Sequence, residues 1–594
     1  MHKVRFALIG VAAVALLVCS SVAMAQDPPS ISAAAEAALN SGTPAPKYSM
    51  GDLDGDQFVT ALDLGNVIDI LFASAHLPEK GFYPNPVDLD FDTFVTALDL
   101  GIMIDVLFAG KNMPPEHVYE LVGRSGPGVT YLLWDDSVKY TIGGIGGRAD
   151  GGIYEVGSDS TELGLADGCP KTDTLIIPPG VRFYGSLSIA NPSAFIVRRT
   201  GFVHAVGDCN GDPIVFGSLN ECPNRNQGDW GGMVINGCAC NNDQPDSYII
   251  EAEGNGGVGG GNDIHDNSGN FKCMRVEFAG REFTVDNELN GITVNSVGNG
   301  TLFEYLQVNQ NDDDGIEWFG GRVDCRYTVL SGIKDDGFDS DFGAQWRGQY
   351  LIVHRDPFAN KSSNYNGFEW DNQPTSPYQD CPRMKPTIWN ATLIGNGCTD
   401  FDNRHDAAHI RRGADGDINN TVWTEWHAAL EYDEPDAWDD LGCGDNGCYD
   451  EISLPGNPDA RIEINNSIWY SVDTLSGNAY PHSAEFPYMP ANICIDGGAT
   501  CGTHPNNVFP NMDCGLPPLL TNEVYPAAGC PGSPAPDYTP LVETPGPLYT
   551  GINDAGDKAP PNDGWFDPDG QNFKGAAKIG GAKWWEGWTD FSPH

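Results

Sequence analysis

The chain has 594 residues, with 32 Lys and Arg against 82 Asp and Glu, a formal charge of −50 at pH 7. A surface this acidic excludes nucleic acid as a partner, since phosphate binding needs a basic face. The 73 Gly and 43 Pro argue against a helical bundle, while 40% hydrophobic and 10% aromatic residues exclude wholesale disorder.

In chain order, residues 1–25 read as a signal peptide. His2, Lys3 and Arg5 precede a 13-residue apolar run, Phe6 to Val18, too short to span a bilayer. Ala23-Met24-Ala25 is an A-x-A cleavage site, so the mature chain is expected to begin at Gln26 with a charge of −52. A lipoprotein signal ending at Cys19 is the alternative, but Val18 is large for that motif. No later apolar run is long enough for a transmembrane segment, so the product is expected to be secreted or at the cell surface. Exported cysteines usually pair. Cys443 with Cys448 and Cys494 with Cys501 are close in sequence, and the mature count of fifteen leaves at least one unpaired within the chain.

Residues 26–48 are expected to be a linker. Two segments then nearly repeat, 51–73 and 87–109, identical at 17 of 23 positions. Each begins with oxygen-bearing groups at loop positions 1, 3, 5, 7, 9 and 12. These are Asp52, Asp54, Asp56, the Phe58 carbonyl, Thr60 and Asp63, then Asp88, Asp90, Asp92, the Phe94 carbonyl, Thr96 and Asp99. Ca²⁺ takes six to eight oxygen ligands, and this is the EF-hand spacing. Position 6, usually Gly, is Gln57 or Thr93. After each loop, Leu64, Val67, Ile68 and Leu71, and Leu100, Met103, Ile104 and Leu107, recur at helical intervals. Two tandem loop–helix units with Asp at position 12 resemble a type I dockerin over residues 49–112. That resemblance implies two calcium ions and docking to a cohesin-like scaffold, with Ala61-Leu62 and Ala97-Leu98 at the partner-reading positions.

A second linker is expected over 113–125, and residues 126–594 read as β throughout, ending in a cap. Tyr305-Leu306-Gln307-Val308 recurs as Tyr327-Thr328-Val329-Leu330 and Tyr350-Leu351-Ile352-Val353, 22 and 23 residues apart. DDGIEW (313–318), DDGFDS (335–340) and NGFEWD (366–371) follow them. That period, with two or three short strands per unit, predicts the coils of a right-handed parallel β-helix. The fold class is therefore mostly β, a parallel solenoid preceded by a small helical calcium module. GDWGGMVINGCA (228–239), NDDDGIEWFGG (311–321), IKDDGFDSDFG (333–343), HIRRGA (409–414) and WWEGWTDF (584–591) also resemble a broad family of secreted, mostly uncharacterised bacterial proteins. The resemblance implies an exported β-helix-like fold and no established reaction.

Stacked coils place equivalent residues one strand spacing apart, about 4.8 Å. If Ile316, Phe338 and Phe368 face the core, Glu317, Asp339 and Glu369 face outward in one column. Asp313-Asp314 and Asp335-Asp336 form a second at the adjoining turn. Like charges at that distance repel by about 3.5 kcal/mol at an effective dielectric of 20, so protons or a cation should relieve them. One reading is a calcium-bridged face that binds polysaccharide or partners. The other is catalysis by Asp314, Glu317, Asp336 and Asp339 as a polysaccharide hydrolase or lyase. Their order is partly similar to that in polygalacturonases, but no His-Gly or R-I-K follows. His405-Asp-Ala-Ala-His409 mimics a zinc motif without its Glu or a helical setting. Trp318 and Trp370 are expected in the core, and Trp584, Trp585 and Trp588 over the end of the solenoid.

Overall fold

The computed structural model describes residues 33–45, 59–73 and 97–109, most of 170–433, residues 462–470, 536–541 and 559–592, and short strands between them. Strands dominate, and they pair in parallel in two large sheets of nineteen and ten strands. Successive coils each contribute to both sheets, which is a parallel β-helix. No helix among the described residues is long and apolar enough to cross a membrane.

The ten-stranded sheet is flat and includes Gly232–Asn236, Ile292–Asn295, Ile316–Phe319, Phe338–Asp341, Phe368–Asp371 and Ala408–Arg411. The larger sheet is bent. In Leu302–Asn309, Cys325–Ser331, Arg347–His354 and Thr387–Ile394 one strand serves two faces, because a left-handed residue interrupts each: Tyr305, Tyr327, Tyr350 and Asn390, at φ 55°, 57°, 59° and 57°. The ladder bonds skip this residue in every coil. The tyrosine repeat therefore marks the bend, and the three rings stack at 4.5 and 5.0 Å between centroids. Asn420 and Asn466 continue the column, with the Asn466 amide donating to Asn420 Oδ1 at 2.8 Å. Asn tolerates this backbone region better than most residues.

A second repeat positions the flat sheet. Asn290-Gly291, Asp314-Gly315, Asp336-Gly337 and Asn366-Gly367 each precede an inward apolar residue. A Cβ on Gly315, Gly337 or Gly367 would stand 2.6 Å from a carbonyl oxygen of the next coil, so these turns stack closely only as glycine. Inside, Ile316, Phe338 and Phe368 are wholly buried. Trp318 and Trp370 join them, as expected, and Trp318 stacks on Trp346 at 4.3 Å. Cys209 and Cys273 are bonded across 64 residues, while Cys325 is free and buried. Cys443, Cys448 and Cys501 lie outside the described residues.

Two expected linkers and one expected placement differ from the structure. Within 26–48, read as a linker, Ala33–Ser41 is a helix, as its alanine-rich sequence favours. Within 113–125, also read as a linker, His117–Leu121 and Gly123–Arg124 are strands that pair with Val138–Ile142 and with Tyr154-Glu155. The short run hid a first coil because its partners come later in the chain. Trp584, Trp585 and Trp588, expected over the end of the solenoid, lie instead with the rest of 559–592 along the side of the bent sheet. Trp588 meets Tyr305, Trp584 meets Tyr327, and Phe573 stacks on Tyr350. Trp585, Ala576 and Phe591 cover the outward apolar residues Val329, Ile352, Ile394 and Val422.

Candidate functional site

Each outward position of the flat sheet is set by the alternation of a strand whose other face is the core. In register, Thr293, Glu317, Asp339, Glu369, His409 and Glu431 form one column, and Asn295, Phe319, Asp341, Asp371 and Arg411 form the next. The predicted column of Glu317, Asp339 and Glu369 is therefore present. These side chains are not freely exposed, however. Glu317 is 5% and Glu369 6% accessible, set among Asn290, Asn366, His409 and Arg411.

The turn carboxylates do a local job. Asp314 accepts the Asp336 N–H at 2.8 Å through Oδ1, and Asp336 accepts the Asn366 N–H. Asn366 Oδ1 in turn accepts from the Asp406 N–H at 3.4 Å. Four successive turns are thus tied by the same side-chain atom. This links Asp314 and Asp336 to coil stacking, a role the spacing alone does not announce.

Two arginines pair with the column at its Glu369–Asp371 end. Arg411 donates to Glu369 and, at 2.7 Å, to Asp371, while Arg412 reaches Asp371 at 2.6 Å. Burial would raise the Glu369 carboxyl, but the His409 imidazole 3.5 Å away and the Arg411 charge hold it down to about 2. Among the described residues, no Lys or Arg comes within ion-pair distance of Asp314, Asp339 or Asp341. Burial, then the charge of Asp313, pushes Asp314 well up; burial and Glu369 raise Asp336; burial and Asp341 raise Asp339. Asp313, nearer solvent, is pushed up to about 8 by burial and by Asp335. Arg355 lies behind this turn, buried over the Tyr365 ring at 3.8 Å, and donates to the carbonyls of Lys334 and Asp335.

Two trios bring carboxylate oxygens within 4.8 Å of one another: Asp313, Asp314 and Asp335, and Asp314, Glu317 and Asp339. The second fits a hard cation. Its donors are all oxygen, and its three carboxylates come from two adjacent coils. Asn290, wholly buried, donates to Glu317 through Nδ2, and its Oδ1 has no donor in reach. Standard amide dimensions keep that oxygen about 2.2 Å from the nitrogen touching Glu317, hence beside the trio. All four residues proposed as catalytic, Asp314, Glu317, Asp336 and Asp339, thus fall in one continuous acidic cluster. Asn290, Asn366, Asp341, Asp371 and Arg355 were not anticipated; the Asn-Gly and Asp-Gly pairs before each inward residue were the available signal.

Of the twelve expected calcium-loop ligands, only Thr60, Asp63 and Asp99 lie among the described residues. Asp52, Asp54, Asp56, Phe58, Asp88, Asp90, Asp92, Phe94 and Thr96 lie outside them. Helices follow both loops, at Ala61–Ala73 and Ala97–Ala109. Asp63 Oδ2 accepts the Thr60 N–H at 2.7 Å, and Thr60 Oγ1 accepts the Leu62 N–H at 3.1 Å, a reciprocal cap of the first helix. Asp99 Oδ1 accepts the Leu89 N–H at 2.7 Å, closing the second loop on its helix. The HDAAH segment does not form a helix: Ala408–Arg411 is a strand, and His405 lies outside the described residues.

Residues 168–447 match the family model described as a pectate-lyase like beta helix domain. No curated protein and no solved structure matches the chain. The matched span contains the whole acidic column, and the match and the coil geometry agree on the fold: a parallel β-helix occupies the middle of this chain.

Proposed function

We propose that the protein is an exported, calcium-dependent polysaccharide-binding β-helix, held at a cell surface or matrix through its dockerin-like N-terminal unit and a cohesin-like scaffold. The observation that carries this reading is the trio of Asp314, Glu317 and Asp339, whose oxygens lie within 4.8 Å of one another, with the donor-less Asn290 oxygen beside it. Those residues would hold the cation, which would neutralise the face and attract anionic groups of a glycan. Arg411 and Arg412, with side chains 24% and 29% exposed at the same sheet, suit carboxylate contacts of a uronic-acid chain. The overall charge repels such a polymer unless cation is present. The test is retention of the mature protein on polygalacturonate and on a neutral glucan, in CaCl₂ and in EGTA. Calcium-dependent retention on the uronate that Asp339→Asn abolishes supports the reading; retention unaffected by EGTA refutes it.

A second reading has one observation in its favour. Asp336 is driven up and its neighbour Glu369 down, the separation that an acid and a base need for hydrolysis or elimination. Under that reading Asp336→Asn loses turnover of the polysaccharide while binding persists. Absence of any product with calcium-loaded protein eliminates it.

A further inference from the structure

The side segment 559–592 is held to the bent sheet by side chains that read its main chain. Among the described residues the segment contains no strand, and only the 3₁₀ turn Pro568–Asn572 is regular. Gln349 clasps Asp567 twice: Oε1 accepts its N–H at 2.7 Å, and Nε2 donates to its carbonyl at 3.0 Å. Gln307 does the same to Asp590, at 2.8 and 2.6 Å. Asn390 donates to the Gly570 and Phe573 carbonyls at 2.9 and 3.0 Å, and Thr392 Oγ1 accepts the Ala576 N–H at 2.8 Å. Arg326 and Arg275 donate to the Trp565 and Trp588 carbonyls at 2.7 and 2.9 Å. A backbone bond from the Gly575 N–H to the Asn420 carbonyl, at 2.7 Å, adds to these. With the segment in place, Gln307, Gln349 and Asn390 are wholly buried. Trp585 is the apolar anchor, also wholly buried, beside Val329, Ile352 and the Tyr538 ring. Main-chain bonds that supply affinity and sockets that supply specificity are how folded domains bind peptides.

We propose that this side of the β-helix is a peptide-binding groove, and that its ligand, the 559–592 segment, exchanges between copies of the chain, the segment of one copy seating in the groove of a second. The segment contains no cysteine, so no disulfide ties it to its own coils. Seating within one chain and between chains uses the same atoms, which makes exchange of an element a low-cost route to association. A high effective concentration favours the segment of the same chain, so exchange sets in where chains are concentrated or where one segment is released. The proposal stands apart from the cation and glycan reading, which concerns the flat sheet.

Two variants of the full mature chain test it. Trp585→Ala weakens the segment and leaves the groove; Gln307→Ala with Gln349→Ala weakens the groove and leaves the segment. Mixed in equal amounts, they should give at least tenfold more of a doubled mass, by light scattering after gel filtration, than either gives alone. A mixture that stays at the mass of one chain overturns the exchange. A fluorescent peptide of residues 559–592 tests the groove itself. It should bind the Trp585→Ala chain at least tenfold more tightly than the Gln307→Ala, Gln349→Ala chain; equal affinity, or no binding to either, refutes the groove. The wild type needs no substitution to be informative. In excess peptide its own segment should be displaced and become the first region cut by protease, and a segment that stays protected refutes the exchange.

Discussion

Gly337 and Gly65 use the same residue for opposite reasons. A Cβ at Gly337 would lie 2.6 Å from the Gly367 carbonyl oxygen and 2.9 Å from Val353 Cγ2, whereas one at Gly65 would meet nothing within 4 Å. Gly337→Ala should therefore cost about 1–3 kcal/mol by forcing two coils apart. Gly65→Ala, in a helix interior, should add about 1 kcal/mol. Urea denaturation midpoints of the two variants check both signs. His204 shows the same dependence on surroundings. Burial lowers its pKa, against a smaller upward pull from the Thr43 carbonyl, and its Nδ1 faces the Asn270 amide at 3.2 Å. A lowered folded value means that its contribution is full above about pH 6.5 and is lost as pH falls through the folded value. Exchange of residues 41–45, corrected for intrinsic rates, should accelerate between pH 7.5 and 5, and His204→Gln should remove that dependence.

At the scale of elements, the side segment 559–592 braces coils far apart in sequence. Gln307 donates to the Asp590 carbonyl at 2.6 Å, and Asn420 donates to the Gly570 and Phe573 carbonyls at 2.7 and 2.9 Å. Trp585 is wholly buried against the outward apolar residues. Trp585→Ala should cost about 3–5 kcal/mol and make 559–592 the first region cut in limited proteolysis. The brace was not legible in the sequence. WWEGWTDF reads equally well as a cap, because aromatic content says that a surface is covered but not which one. The strands beneath it were legible. The Tyr305, Tyr327 and Tyr350 repeat reports a bend that every coil must make, and the DG and NG pairs report turns that must stack. The linker at 113–125 was misread because two short strands carry no periodicity of their own; only pairing with later strands defines them.

For the whole molecule, the acidic excess is concentrated where the fold stacks it. Asp339 lies 22 and 25 residues from Glu317 and Asp314 along the chain, yet once coiled the three bring carboxylate oxygens within 4.8 Å of one another. Removing one charge should relieve the metal-free protein and weaken the loaded one. Asp339→Asn is thus expected to raise Tm in EGTA by a few degrees and to shrink the rise that CaCl₂ brings to the wild type. A variant with lower Tm in both buffers would show that Asp339 serves only local packing.

The sequence by itself determined the coil period, the inward set of Ile316, Phe338 and Phe368, and with it the outward line of Glu317, Asp339 and Glu369. Period and alternation are properties of one strand and its repeat, so they survive in one dimension. Only the tertiary structure decided that this line is nearly buried, that Arg411 and Arg412 neutralise one end of it, and that the N- and C-terminal segments fold back onto the coils. Burial and charge compensation depend on neighbours far along the chain, 42 residues for Glu369 and Arg411 and 313 for Arg275 and Trp588. No local pattern encodes those distances.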